Sequence, residues 1–189
     1  MVFKDMFNFK LYCVMVEVMN KVCGDYSENA KVARKMWPGA VVLDLTMGGA
    51  MERLDPAFPL GRVEVPGLKR KVSLSVSGIW ESMKIFSKKD VEDLSFLTDV
   101  KKLGKKRGCK CYGKLVGIKM GDEVLNLDDG VEEMFIKPYK RTMLERCGNV
   151  LEGIKGISKE RTVVLLDYEE NDKRYPVSHV ELVKEMIME

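Results

Sequence analysis

Glu81 and Lys84 stand three residues apart, directly after Trp80. A carboxylate can give or take a proton, an ammonium can hold a phosphate, and an indole can stack on a flat ring. The ordinary reading of the same residues is a core tryptophan beside a solvated helix face. Other candidates are dispersed along the chain. Asp44 and Asp167 each close an apolar run, where they could position a ligand's hydroxyl groups or merely cap a turn. His179 is the one histidine, able to act as general acid or base near neutrality or to serve as a hydrogen-bonding residue. Arg107 could grip a phosphate with two parallel N–H bonds, or be a surface-loop cation. Phe58 and Arg62, on a proline-rich stretch, could form the rim of a site, with packing as the alternative.

Spacing indicates which elements must carry these groups. Leu11, Val14, Met15, Val18, Met19 and Val22 recur at helical intervals, so an N-terminal helix is expected to end near Gly24. Asp25 with Glu28 opens a second helix that stops before Pro38. Ala40–Thr46 is apolar and β-branched until its polar end, which predicts a covered central strand, and Thr162–Tyr168 predicts another. Between them, prolines and glycines over Leu54–Gly67 predict an ordered loop with a short edge strand. A helix is expected to start near Ser75 to Ser77 and to run through Phe86, since Ile79, Met83 and Phe86 keep helical spacing.

Weak strands are predicted at Lys114–Ile118 and Val124–Leu127, a helical turn at Val131–Phe135, and a helix from Pro138 to Gly153. Ser178 and Glu181 form an S-x-x-E capping box for a C-terminal helix.

With 189 residues, 46% apolar and 32% charged, the chain is of single-domain size with a substantial core. No apolar run approaches the roughly 20 residues needed to span a bilayer, and no signal-peptide core follows Met1, so the expectation is a cytoplasmic protein without membrane contact. Five scattered cysteines fit reduced thiols, and Cys109-Lys110-Cys111 with one distant histidine is too sparse for a metal site. No cofactor is implied. A net charge of +3 is too small to imply bulk nucleic-acid binding by the whole surface, although the lysine-rich stretch from Lys101 to Lys114 could hold phosphates or a nucleic-acid backbone.

Five segments in order carry a resemblance. Trp37–Thr46 resembles a YPGAxxxDVT segment, Asp55–Gly61 with Val63–Pro66 resembles SPFYPHG followed by IPVP, and Ser75–Phe86 resembles SVEGIWQGLKVF. Leu165–Asn171 and Pro176–His179 resemble LLDYxTN and PLSHA. Together they resemble the DUF6939 family, which is in turn similar to the NADAR (YbiA-like) N-glycosidase superfamily. That resemblance implies a single α-rich α+β domain with a small sheet over 26–189; residues 1–25 fall outside it, and the helix that their spacing predicts could cover an apolar surface or mediate homodimerisation.

The resemblance also implies hydrolysis of an N-glycosidic bond in a ribosylated nucleotide or ADP-ribosylated nucleic acid. Such cleavage builds positive charge at the sugar, which a carboxylate must stabilise or relieve by activating water. The family pattern has that carboxylate where this chain has Ser77, and Glu81 stands where the pattern has a glutamine. On this reading Glu81, with Asp44 or Asp167, is the catalytic acid or base. Trp80, Lys84, Phe58, Arg62, Ser77, Arg107, Asn171 and His179 then contact the ligand. The competing reading is a catalytically degenerate protein that binds a nucleotide or ADP-ribose-like molecule, sequestering it or docking on a partner.

Overall fold

The computed structural model describes residues 22–25, 30–45, 48–88, 93–107, 109–167 and 175–189. In chain order the elements are β1 (Val22–Asp25), α1 (Ala30–Met36), β2 (Val41–Asp44), β3 (Val63–Glu64), β4 (Val72–Ser73), α2 (Val76–Met83), β5 (Lys84–Phe86) and α3 (Cys109–Tyr112). There follow β6 (Leu115–Met120), β7 (Glu123–Leu125), α4 (Leu127–Val131), a π-helical turn (Glu132–Ile136), α5 (Lys137–Ser158), β8 (Val163–Leu166) and α6 (His179–Met188). The architecture is mixed α+β. Among the described residues, no helix is long and apolar enough to cross a membrane.

Val163, Val164, Leu165 and Leu166 are all buried, as an apolar strand covered on both faces requires. This strand, β8, is the middle of a parallel sheet ordered β1-β8-β2. The expectation of a covered central strand therefore holds for β8 and fails for β2, which takes a sheet edge among the described residues and is half-buried.

A second correction concerns Val22–Asp25, expected within the N-terminal helical extension. They form β1, paired in parallel with β8 from Val22↔Val163 to Asp25↔Leu166. A short apolar stretch satisfies helical and extended spacing alike, and here the exposed backbone edge of β8 decides. Gly24 suits the position, because a Cβ there would come within 2.9 Å of Val180 Cγ1 on α6. The boundary expected at residue 25 thus falls beyond a strand of the main sheet, while the helix expected over the preceding residues lies outside those described.

The helix at Ser75 starts as expected. Ser75 Oγ accepts from the Gly78 N–H at 3.1 Å, an N-cap, and Ser77 N–H donates to Pro56 O at 2.9 Å, fastening the helix to the proline-rich loop. Its end differs. The chain becomes extended at Lys84, and β5 pairs antiparallel with β6, which pairs with β7. Helical spacing of Phe86 misled because β5 is buried on all its residues, so apolar side chains are needed there in either conformation.

The predicted turn at Val131–Phe135 and the predicted helix from Pro138 join into one long run. Asn126 caps α4, the π-turn follows, and α5 continues to Ser158, five residues beyond the expected stop. Ser178 caps α6 by accepting from Glu181 N–H at 3.4 Å.

One glycine shows how tightly α2 is seated. A Cβ on Gly78 would lie 2.6 Å from the Phe96 carbonyl oxygen and 2.7 Å from Ser73 Oγ. Gly78→Ala is expected to destabilise the protein by about 1–3 kcal/mol through overpacking against backbone, read as a fall in the urea midpoint with unchanged slope.

Candidate active site or ligand site

Helix α2 and the strand that continues it place Trp80, Glu81 and Lys84 together beside the 93–107 segment. Glu81 is 2% exposed. Its Oε1 accepts a hydrogen bond from Lys84 Nζ, and its Oε2 accepts from the Arg107 backbone N–H at 2.8 Å. A buried carboxylate requires this degree of compensation. Burial lowers the Lys84 amine from its ordinary value; Glu81 opposes this shift, and the nearby charges of Arg107 and Lys106 add to it. The Lys84 ammonium also stands 5.2 Å from the centre of the Trp80 ring.

Arg107 is no phosphate clamp in this arrangement. Its guanidinium is buried, with Nη2 donating to the carbonyls of Ser82 at 3.2 Å and Lys84 at 2.7 Å, where α2 ends. Burial lowers its pKa from the usual arginine value, against the attraction of Glu81 and Asp93. The rings of Phe86, Tyr112 and Phe96 surround it with centroids 5.2, 5.9 and 6.0 Å away. The arginine caps carbonyls that the turn into β5 would leave short of donors.

Trp80 and Lys84 form one wall of an open cleft of about 290 Å³, and Tyr175 with Pro176 forms part of another. Lys106 also lines it, and Leu115, Leu127 and Val131 supply apolar surface. Trp80 is only 4% exposed and meets Phe135 edge-on at 6.1 Å, so it is mainly a core anchor with one edge in the cleft. Tyr175 is the better exposed ring. Its hydroxyl donates to Asp55 Oδ1 at 2.7 Å, and the same oxygen accepts from Ala57 N–H at 2.6 Å.

Asp167 and His179 come together as well, with Oδ2 and Nδ1 3.4 Å apart, both buried. Tyr175 stands edge-on to the His179 ring at 5.6 Å and tilted to Phe135 at 5.7 Å. An aromatic row therefore links the Glu81 group to the Asp167–His179 pair.

The remaining described candidates outside the Asp167–His179 pair do not line the cleft. Ser77 is buried in the first turn of α2 against Pro56. Asp44 stands beside Leu166 at the sheet edge. Phe58 belongs to the turn after Asp55, to whose carbonyl its N–H donates at 2.9 Å, and Arg62 lines a different groove. Asn171 lies outside the described residues.

Sequence reasoning overlooked Tyr175 and Asp55. Asp55-Pro56 as an Asx-turn and Tyr175 ahead of Pro176 were the available signals, yet neither reveals the contact between them. Among the described residues, no group of three or more His, Cys, Asp or Glu side chains could hold a metal ion.

The fold and site define an α+β domain in which a buried acid–amine pair backs a small, partly aromatic cleft. The chain belongs to a family of unknown function, DUF6939, whose match spans residues 26–183. No curated protein matches it.

Removing the Glu81 charge leaves a buried ammonium uncompensated. Glu81→Gln is expected to cost about 3 kcal/mol near neutral pH. The folded-state amine of Lys84 is depressed, so the unfolded chain binds more protons in the alkaline range and stability rises with pH toward the ordinary lysine value. Without Glu81 the depression deepens, so the loss should shrink as pH increases. Denaturant titrations across alkaline pH check this, with Glu81→Gln/Lys84→Met expected to be more stable than Glu81→Gln alone.

Proposed function

We propose that this chain is a NADAR-like protein that binds the phosphorylated ribose portion of a nucleotide or ADP-ribose-like ligand in the Trp80–Tyr175 cleft. The single observation carrying this reading is that Lys84 lines the cleft while the Glu81 carboxylate lies behind it as its counter-ion. Lys84 and Lys106 make the site attractive to an anion, and the half-buried Tyr175 ring offers a flat surface for a sugar or base. The cleft's 290 Å³ is at the small end of ligand sites and suits a ribose phosphate rather than an entire dinucleotide.

Binding without cleavage is the form supported best. N-glycosidic hydrolysis needs a carboxylate at the sugar carbon or at the attacking water. Glu81 is held by Lys84 and Arg107, Asp167 is buried against His179, and Asp44 stands at the sheet edge. In the other form the protein is an N-glycosidase-like hydrolase of ribosylated nucleotides or ADP-ribosylated nucleic acid. One observation favours it: Ser77 and Glu81 lie one turn apart on α2. A ligand phosphate that draws Lys84 Nζ to itself would leave the Glu81 carboxylate beside the ligand.

Calorimetry with ADP-ribose and ADP, followed by chromatography of the mixture, separates these forms. The expected result is saturable binding with no released ribose product, weakened about tenfold or more by Lys84→Met. Absence of binding to either probe would overturn the cleft assignment. Product release abolished by Glu81→Gln would instead establish hydrolysis.

A further inference from the structure

A second groove, about 340 Å³, runs between the β3–β4 hairpin and the N-terminal half of α5. Its floor is apolar, formed by Val63, Pro66, Val72 and Pro138. Four cations (Arg62, Lys137, Arg141 and Arg146) and three carboxylates (Glu64, Glu133 and Glu145) line it.

The carboxylates are all engaged. Arg141 Nη1 stands 2.9 Å from Glu64 Oε2, Arg141 Nε donates to Glu145 Oε1 at 2.9 Å, and Lys137 pairs with Glu133. This leaves Arg62 and Arg146 with no carboxylate partner among the described residues. Arg146 Nη1 reaches toward Leu60 O at 3.4 Å, two residues before Arg62, while Arg53 Nη2 donates to the Arg146 carbonyl at 2.9 Å. Arg62 and Arg146 thus line the groove as cations that no carboxylate of the described residues neutralises.

Arg62 is also held in a left-handed backbone conformation, φ 51°, next to Gly61 at φ 71°. Glycine is the ordinary occupant of such a position, and Arg70 across the hairpin shares it at φ 61°.

We propose that this groove is a second anion site, binding the phosphate of a small phosphorylated molecule between Arg62 and Arg146 with its apolar body on the Val63–Pro138 floor. Guanidinium groups suit phosphate because their N–H donors match its oxygens in pairs. The site shares no lining residue with the Trp80–Tyr175 cleft and stands independently of the function proposed for that cleft.

The test is a titration of the full chain with inorganic phosphate and with AMP, followed through the arginine Nε–Hε resonances by NMR. Saturable shifts of the Arg62 and Arg146 signals are expected, with AMP binding about tenfold tighter than phosphate because it also covers the floor. Arg146→Gln should weaken AMP binding about tenfold. Arg62→Gly should do the same while leaving thermal stability equal or higher, since glycine accepts the left-handed backbone, so misfolding is not an explanation for lost binding. The proposal is overturned if the two signals do not saturate, if potassium chloride shifts them equally, or if Arg62→Gly and Arg146→Gln bind AMP as the parent does.

Discussion

The buried Glu81 carboxylate is the constraint around which this half of the molecule is arranged. A carboxylate removed from water must be met by donors, and here they come from two directions: the Lys84 ammonium of its own segment and the Arg107 backbone N–H of a distant one. The second contact fixes the 93–107 segment against α2. It also delivers the Arg107 guanidinium to the carbonyls where the helix ends, so helix termination, the start of β5 and the course of the loop are solved together. Phe86, Phe96 and Tyr112 complete the enclosure and keep water from competing for the same bonds.

From that centre, rings carry the organisation toward the C-terminus. Trp80 touches Phe135, and Phe135 touches both Tyr139 and Tyr175. The π-turn ending at Ile136 contributes Met134 and Phe135 to the core, and shifts the face that α5 presents relative to α4. Tyr139 is wholly buried; burial, then nearby Asp55, raises its hydroxyl well above the ordinary tyrosine pKa and keeps it a neutral donor to Leu54 O at 2.6 Å. Asp55 meanwhile holds Tyr175. The proline-rich loop is therefore tied to α5 through Tyr139 and to the segment before α6 through Tyr175, which explains how a segment so poor in regular structure can be held in place.

Local signals in the chain were reliable where one residue decides the outcome. The helix start near Ser75, the Ser178 cap, the stop before Pro38 and a short strand within Leu54–Gly67 follow from local chemistry and appear as expected. What could not be read from spacing was tertiary choice. Val22–Asp25 is extended because β8 offers it an edge, β2 is peripheral because β1 takes the other side, and Lys84 leaves the helix because β6 and Arg107 are there to receive its backbone. The same distinction divides the site. Trp80, Glu81 and Lys84 are neighbours in sequence and stay together, whereas the pairing of Asp167 with His179 and of Asp55 with Tyr175 exists only once the sheet has formed.

The position of β8 has a consequence for the order of assembly. Both neighbours of this strand, β1 and β2, precede it by most of the chain, and neither is hydrogen-bonded to the other. During synthesis they emerge with their inner edges unsatisfied, and the β1-β8-β2 sheet cannot close until Val163–Leu166 has left the ribosome. Such long-range parallel pairing closes large loops before it is rewarded, so folding should be slow relative to the continuous α4–α5 helical run and gated by its last strand. During that interval the unpaired edges of β1 and β2 are exposed to wrong partners, a vulnerability that ends only when β8 arrives between them.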